Sequence, residues 1–148
     1  MLSKTNILGV GFTSEREEKI LEFILDELKD ARKRKKKNLP AARQVIIFTP
    51  NPEQISAATR SVELRDTLNK AQVSLPDGAG ILLAARLLQK PIYARITGVD
   101  FMEKLVKSIS DQPVITGYLG GQEGVAEATA NCLKQKWPNL RVGYASHA

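Results

Sequence analysis

An aspartate stands between an apolar segment and two glycines in the sequence LPDGAG at residues 75–80. Asp77 has the chemistry of a general base that accepts a proton from a hydroxyl, and Gly78 and Gly80 allow the backbone to approach a ligand closely. The alternative is a turn in which Asp77 caps the next helix. Because a predicted strand precedes this segment and an apolar helix follows it, we expect the carboxylate to lie in a cleft.

A hydroxyl and an amide occur close together in the sequence TPNPE at residues 49–53. Two prolines stiffen this segment, which places Thr49 and Asn51 beside the positive end of a predicted helix. The same residues also fit a helix cap, because Gln54 follows Asn51 at the spacing of a capping box. A ligand-binding loop and a structural cap are therefore both open.

A cation, a glycine and an acid follow one another in the sequence RITGVD at residues 95–100. The planar guanidinium of Arg95 suits a phosphate group, and the alternative is a surface ion pair. Gly98 and Asp100 come directly before the next predicted helix, and we expect Asp100 to be its N-cap.

A glycine-rich segment at residues 117–124 (GYLGGQEG) lies between a predicted strand and a predicted helix. Gly120 and Gly121 could bring backbone amides and a helix N-terminus to a phosphate. The spacing is neither GxGxxG nor a Walker loop, so dinucleotide binding is poorly supported, and binding of a nucleotide-linked phosphate stays open.

One cysteine and one histidine are present in the chain, which excludes an intramolecular disulfide and provides no recognisable metal cluster. We predict that Cys132 packs in the core and that His147 is exposed near the C-terminus. No metal and no cofactor are expected.

Strands and helices alternate along the sequence, which predicts an α/β fold with a mostly parallel sheet and helices on both faces, in a single domain over residues 1–148. The predicted strands cover residues 6–12, 44–49, 72–75, 114–119 and 141–144. The predicted helices follow residue 14 and cover 52–70, 81–88, 100–109 and 122–136.

The net charge of +6 and a sequence pI near 9.6 indicate an anionic partner. Six consecutive cations at Arg32–Lys37 form the most basic segment, which could contact an anionic membrane surface. Nucleic-acid binding is not expected, because no aromatic residues alternate with these cations. The apolar segments are too short to span a membrane, and the N-terminus does not look like a signal peptide, so we expect a cytoplasmic protein.

Four segments occur together in order: FTPNPEQ at 48–54, LPDGAGILLAARLL at 75–88, RITGVDFMEKL at 95–105 and GYLGGQEGVAEATANCLKQKWPNL at 117–140. Together they resemble the WecG/TagA/CpsF family of bacterial glycosyltransferases. The resemblance implies a Rossmann-like α/β core that transfers an N-acetylmannosaminyl-type sugar from a UDP-sugar donor to a polyprenyl-diphosphate-linked sugar acceptor. It implies inversion at the anomeric carbon and no essential cofactor. It also implies that the protein acts at the inner face of the cell membrane, in cell-surface polysaccharide or teichoic acid synthesis.

Site roles follow from the same resemblance. Asp77 matches the family's catalytic base and Thr49 lies beside it in the active site. The substrate-binding positions implied are Asn51, Gly78, Gly80, Arg95, Gly98, Asp100, Gly120 and Gly121.

Family members usually continue beyond the point that corresponds to Ala148, with arginines that reach the active site. We therefore expect this chain to lack that region, to self-associate, and to transfer sugar poorly until the region is supplied. The alternative function is a non-catalytic nucleotide-binding or assembly module derived from such an enzyme.

Overall fold

The computed structural model describes residues 2–147, and within them it has the predicted α/β composition. The chain divides into two compact units, the first ending at Phe101 and the second beginning at Met102. The strands are β1 (Lys4–Ile7), β2 (Val10–Thr13), β3 (Ile47–Phe48), β4 (Val73–Ser74), β5 (Ile115–Leu119) and β6 (Arg141–Ser146). The helices are α1 (Glu17–Lys36), α2 (Pro52–Ala58), α3 (Val62–Asn69), α4 (Ala79–Leu87), α5 (Gly98–Ile109) and α6 (Val125–Lys136).

Strands β1 and β2 form an antiparallel hairpin, so the prediction of one strand over residues 6–12 was wrong. The two-residue turn consists of Leu8 and Gly9, with φ of 51° and 91°. Two positive φ values give the twist that a tight hairpin requires, but leucine rarely adopts one, which is why the turn could not be seen in the sequence. The hairpin buries Ile7, Val10 and Phe12 completely.

Helix α1 buries Ile20 and Ile24, which lie four residues apart and therefore on one side of the helix. Its N-cap is Arg16 rather than Ser14, which is itself buried and donates its backbone amide to the Ser3 carbonyl at 2.9 Å. The helix continues through most of the basic segment and ends at Lys36.

Strands β3 and β4 pair in parallel, as the sequence predicted, and they position the candidate site. Only Ile47 and Phe48 are in strand conformation, and both are half-buried, so the strand is shorter than the one predicted over residues 44–49. The strand is short because, in the part of the chain described, only β4 pairs with β3. The other edge of β3 has no hydrogen-bonded neighbouring strand.

Two helices, α2 and α3, replace the single helix predicted over residues 52–70. Helix α2 ends at Ala58, and Ser61 then caps α3 by accepting a hydrogen bond from the Leu64 amide at 3.2 Å. Serine at this position competes with helix continuation because its side chain satisfies the amides of a new N-terminus. Helix α4 begins at Ala79, two residues before the predicted start.

In the first unit, the two strands of the hairpin pack against α2, α3 and α4. The buried core comprises Ile7, Val10, Phe12, Ile55, Ala58, Leu68, Ile81 and Ala85. Helix α4 therefore has a buried side directly after the Asp77 segment, which fixes the position of that segment.

In the second unit, β5 and β6 pair in parallel, and the core contains Val106, Leu133 and Leu140. Cys132 is exposed, so its predicted place in the core was wrong. Helix α6 buries Ala126, Ala130 and Leu133 instead, and this apolar stripe leaves Cys132 on the outer side. His147 is exposed, as predicted.

The end of α4 provides a test of backbone strain. Gln89 has φ of 51°, and the next amide, that of Lys90, donates to the Ala85 carbonyl at 2.8 Å, which is the Schellman arrangement. We expect Gln89→Gly to raise the free energy of unfolding by about 1 kcal/mol, because glycine adopts this conformation without a Cβ clash. Urea denaturation measures the change.

The matched control is Asn38→Gly at the end of α1, where φ is also 51°. Asparagine tolerates the left-handed conformation better than glutamine, so the gain should be smaller. Equal gains at both positions, or a loss of stability in Gln89→Gly, would contradict the interpretation.

Candidate active site

The loops that follow β3 and β4 meet at the carboxyl ends of this parallel pair. The Leu75 amide donates to the Phe48 carbonyl at 2.8 Å, which extends the pairing by one residue. The Ile96 amide donates to the Pro76 carbonyl at 3.2 Å, which brings the RITG segment to the same place. Three of the segments singled out in the sequence therefore form one loop cluster. Ligands commonly bind at this edge of a parallel α/β sheet.

Asp77 is held by another loop rather than by its own helix. Its Oδ2 accepts a hydrogen bond from the Gly98 amide at 3.1 Å. The N-cap of α4 is Gly78, with φ of 113° and no side-chain cap, so the alternative in which Asp77 caps α4 was wrong. The Asp77 side chain is 30% exposed, and its second oxygen, Oδ1, is directed toward Arg95.

Arg95 forms a loose ion pair with Asp77, with 3.9 Å between Nε and Oδ1. Its side chain is 53% exposed. An exposed pair at this separation contributes little to stability, so the guanidinium is available to an anion that approaches Asp77. The ion pair predicted as the alternative is present, and it lies at the candidate site itself.

Thr97 comes directly before α5 and caps it, although it was not among the residues predicted for the site. Its Oγ1 accepts a hydrogen bond from the Asp100 amide at 3.2 Å, and its hydroxyl donates to the Asp100 carboxylate at 2.5 Å. The prediction that Asp100 is the N-cap was therefore wrong, because the threonine three residues earlier takes that place. The Thr-x-x-Asp spacing of a reciprocal cap was the signal available in the sequence.

Close packing joins the loops at Gly80 and Gly98. A Cβ added at Gly98 would lie 2.8 Å from Cγ2 of Thr49, and one at Gly80 would lie 2.7 Å from Cγ of Pro52. Such distances are too short for carbon atoms, so glycine is required for the loops to touch. Thr49 itself is exposed beside Gly98.

Asn51 is the N-cap of α2, which was the alternative to a ligand-binding role. It forms a complete capping box with Gln54, in which Asn51 Oδ1 accepts from the Gln54 amide at 2.8 Å and Gln54 Oε1 accepts from the Asn51 amide at 3.1 Å. The cap fixes the loop that carries Thr49, and it occupies the side-chain oxygen of Asn51.

Gly120 and Gly121 belong to the second unit. Both have positive φ, 113° and 79°, in the turn after β5. The Gly120 amide donates to the Ser146 carbonyl at 3.0 Å, so this amide is engaged within the unit. Gly124 is the N-cap of α6.

Within residues 2–147, no cluster of three or more histidine, cysteine or acidic side chains has the arrangement of a metal site. In the same part of the chain, every helix is too short or too polar to cross a lipid bilayer.

The fold and the site describe an α/β protein with a carboxylate and an arginine at the carboxyl ends of parallel strands. The sequence matches the glycosyl transferase WecG/TagA/CpsF family over residues 5–148, and the chain belongs to that family. It is 29% identical over 147 residues to N-acetylglucosaminyldiphosphoundecaprenol N-acetyl-beta-D-mannosaminyltransferases of Staphylococcus aureus strains NCTC 8325 / PS 47, COL and MSSA476. These matches cover 98% of this chain and 53% of each relative, so the chain spans about half the length of the curated relatives it matches.

The contact between Gly98 and Thr49 can be tested by paired substitutions. We expect Gly98→Ala to lower the free energy of unfolding by about 1–3 kcal/mol, because the added methyl group overlaps Cγ2 of Thr49. Thr49→Ser removes that methyl group, so the double variant should recover most of the loss. Urea denaturation of the two single variants and the double variant gives the coupling energy. Additive effects would show that the two residues do not touch.

Proposed function

We propose that this chain carries the catalytic base of an inverting glycosyltransferase. The donor is a UDP-sugar of the N-acetylmannosaminyl type, and the acceptor is a sugar linked to a polyprenyl diphosphate. The observation that carries the proposal is the Asp77 carboxylate, fixed through Oδ2 by the Gly98 amide with Oδ1 left toward Arg95. Membership in the family supports the reaction class, and the printed name of the Staphylococcus aureus relatives supports the sugar and the lipid-linked acceptor.

In the proposed reaction, Asp77 Oδ1 takes the proton of the acceptor hydroxyl. The acceptor oxygen then forms a bond to the anomeric carbon while the bond from that carbon to the UDP oxygen breaks on the opposite face. The attack inverts the configuration, and the electron pair leaves with UDP. An oriented carboxylate is suited to this step because the proton must be removed as the new bond forms.

Arg95 is the cation placed to compensate charge near this carboxylate. A leaving UDP gains negative charge in the transition state, and a guanidinium with an exposed, loosely held side chain can pair with phosphate oxygens in two parallel hydrogen bonds. Thr49 lies against Gly98, and Gly78 and Gly80 follow Asp77, so the loop cluster would shape the acceptor side of the same site.

Several wider features belong to the same proposal. We place the β3–β4 pair in a Rossmann-like sheet, which the position of the loops at its carboxyl ends supports. We also propose peripheral contact with the inner face of the membrane, which the lipid-linked acceptor named for the relatives supports. Three further points stay predictions. They are phosphate contacts by the turn at Gly120 and Gly121, the organisation of the chain as a single domain, and self-association.

Replacement of Asp77 tests the base. Asp77→Asn should lower the rate of sugar transfer about 100-fold or more, because an amide keeps the shape and cannot accept the proton. UDP affinity and the unfolding midpoint should change little. Radiolabelled transfer from UDP-N-acetylmannosamine to a lipid-diphosphate-linked N-acetylglucosamine measures the rate, in a preparation with measurable transfer.

Asp66→Asn is the matched control, because this exposed acid lies on α3, outside the loop cluster. It should leave the rate unchanged. Full transfer by Asp77→Asn would remove Asp77 from the role of base. Tight UDP binding with no transfer by the unmodified chain would favour the binding or assembly module instead.

The basic segment at the end of α1 provides a second test. Four cations lie in the last turn of the helix, and Lys37 is its C-cap. We expect replacement of Arg32–Lys37 by serine to weaken binding to vesicles that contain phosphatidylglycerol, since each cation contributes about 1 kcal/mol near an anionic surface. Sedimentation with vesicles at two salt concentrations measures the effect. Equal sedimentation of both proteins would show that these cations only face solvent.

A further inference from the structure

A concave surface lies at the opposite end of β4 from Asp77. Ala71 and Gln72 come directly before β4, and Asp77 follows β4 by three residues. The cavity has a volume of about 570 Å³ and is lined from β1, α1, the segment before β3 and the α3–β4 connection. This volume is in the range of small-molecule sites. None of the residues assigned to the candidate active site lines it.

Three cations and one acid line this cavity. The cations are Lys4, Arg43 and Lys70, and the acid is Glu27. These four side chains give the lining a net charge of +2. Within residues 2–147, no carboxylate lies within ion-pair distance of any of the three cations. Charge of one sign in a concave surface raises the local concentration of ions of the other sign.

Lys4 is fixed at the cavity by a hydrogen bond from its Nζ to the Ala71 carbonyl at 2.5 Å. Partial burial lowers the pKa of this ammonium group, because desolvation disfavours its charged form. An anion beside Lys4 would offset that loss of solvation. The amino group also keeps two further N–H donors for such an anion.

The cavity wall adds an apolar surface and rigid polar groups. Phe23 of α1 is half-buried and contributes its ring to the lining. Gln72 is fixed by two hydrogen bonds, accepting from the Ile46 amide at 2.7 Å and donating to the Lys70 carbonyl at 3.0 Å. These bonds hold the segments that carry Arg43 and Lys70, so two of the cations come from backbone that is tied together.

We propose that this cavity is a binding site for a phosphate-bearing ligand, separate from the candidate active site. Lys4, Arg43 and Lys70 bind the phosphate oxygens by charge-assisted hydrogen bonds. The ring of Phe23 provides a contact for the part of the ligand that carries no charge. The site is independent of the proposed transfer reaction, because it uses none of its residues.

Calorimetric titration at low salt tests the site, with inorganic pyrophosphate and ADP as the probes. We expect at least one of the two probes to bind. Lys4→Gln and Lys70→Gln should each raise the Kd of that probe about tenfold, because each substitution removes a charged hydrogen-bond donor. Lys90→Gln is the matched control, since it removes one exposed cation outside the cavity. Its Kd should equal that of the unmodified protein. Binding of pyrophosphate without binding of ADP identifies the bare phosphate as the ligand, and binding of ADP identifies a nucleotide.

Arg95→Gln separates this cavity from the candidate active site. Binding that survives Arg95→Gln and is lost in the lysine variants supports the proposal. Binding lost only in Arg95→Gln, equal losses in all four variants, or no binding of either probe overturns it, and none of these results bears on whether Asp77 is the base. As a second readout, the ¹³Cε signal of Lys4 in NMR titrations should give a higher pKa in the presence of the bound probe. An unchanged Lys4 pKa would also overturn the proposal.

Discussion

The hydrogen bond from the Gly98 amide to Asp77 joins two loops that are 21 residues apart in the sequence. It orients the carboxylate, and it satisfies a backbone donor at the first residue of α5 that has no partner within the helix. Because a negative group is favoured at a helix N-terminus, the same contact stabilises both the charge and the helix. The positions of Arg95 and Thr49 depend on it, since both lie within the loop cluster that this bond fixes.

The loop cluster also depends on the absence of side chains at two positions. Gly80 meets Pro52, and Gly98 meets Thr49, at distances that leave no room for a methyl group. At both glycines the space that a side chain would fill is occupied by atoms of the loop that follows β3. The two glycines set how closely the loop that carries Thr49 and Pro52 can approach the Asp77 loop.

Much of the arrangement was predictable from local sequence patterns. The capping box of Asn51 and Gln54 follows from the spacing of two residues three positions apart. The parallel pairing of β3 with β4 was predicted from the alternation of strands and helices along the sequence. The sequence also identified the segments that meet at the carboxyl ends of the strands. It did not identify the partner of Asp77, because the Gly98 amide comes from a contact between distant residues that no local pattern encodes.

The incorrect predictions have related causes. The hairpin turn has a leucine at positive φ, and Gln89 also has positive φ at the end of α4. The preference of the single residue therefore does not predict the backbone conformation at either position. Cys132 was predicted to lie in the core because its helix has several apolar positions, but the buried side of α6 consists of alanines and a leucine. A small apolar residue can face either side of a helix, and the contacts of the whole helix decide which.

The peptide bond between Asp77 and Gly78 has a consequence for the chemical ageing of the protein. In an Asp-Gly sequence the backbone nitrogen of glycine can attack the aspartate carboxyl carbon, which gives a cyclic imide and then isoaspartate, because glycine has no side chain to hinder the attack. The hydrogen bond from the Gly98 amide holds the carboxylate in one orientation. It therefore restricts the side-chain rotation that would bring the carboxyl carbon to the Gly78 nitrogen. Asn51 is protected differently, since the nitrogen of Pro52 has no hydrogen to lose. Long storage under conditions that open the loop cluster would therefore favour isoaspartate formation at Asp77.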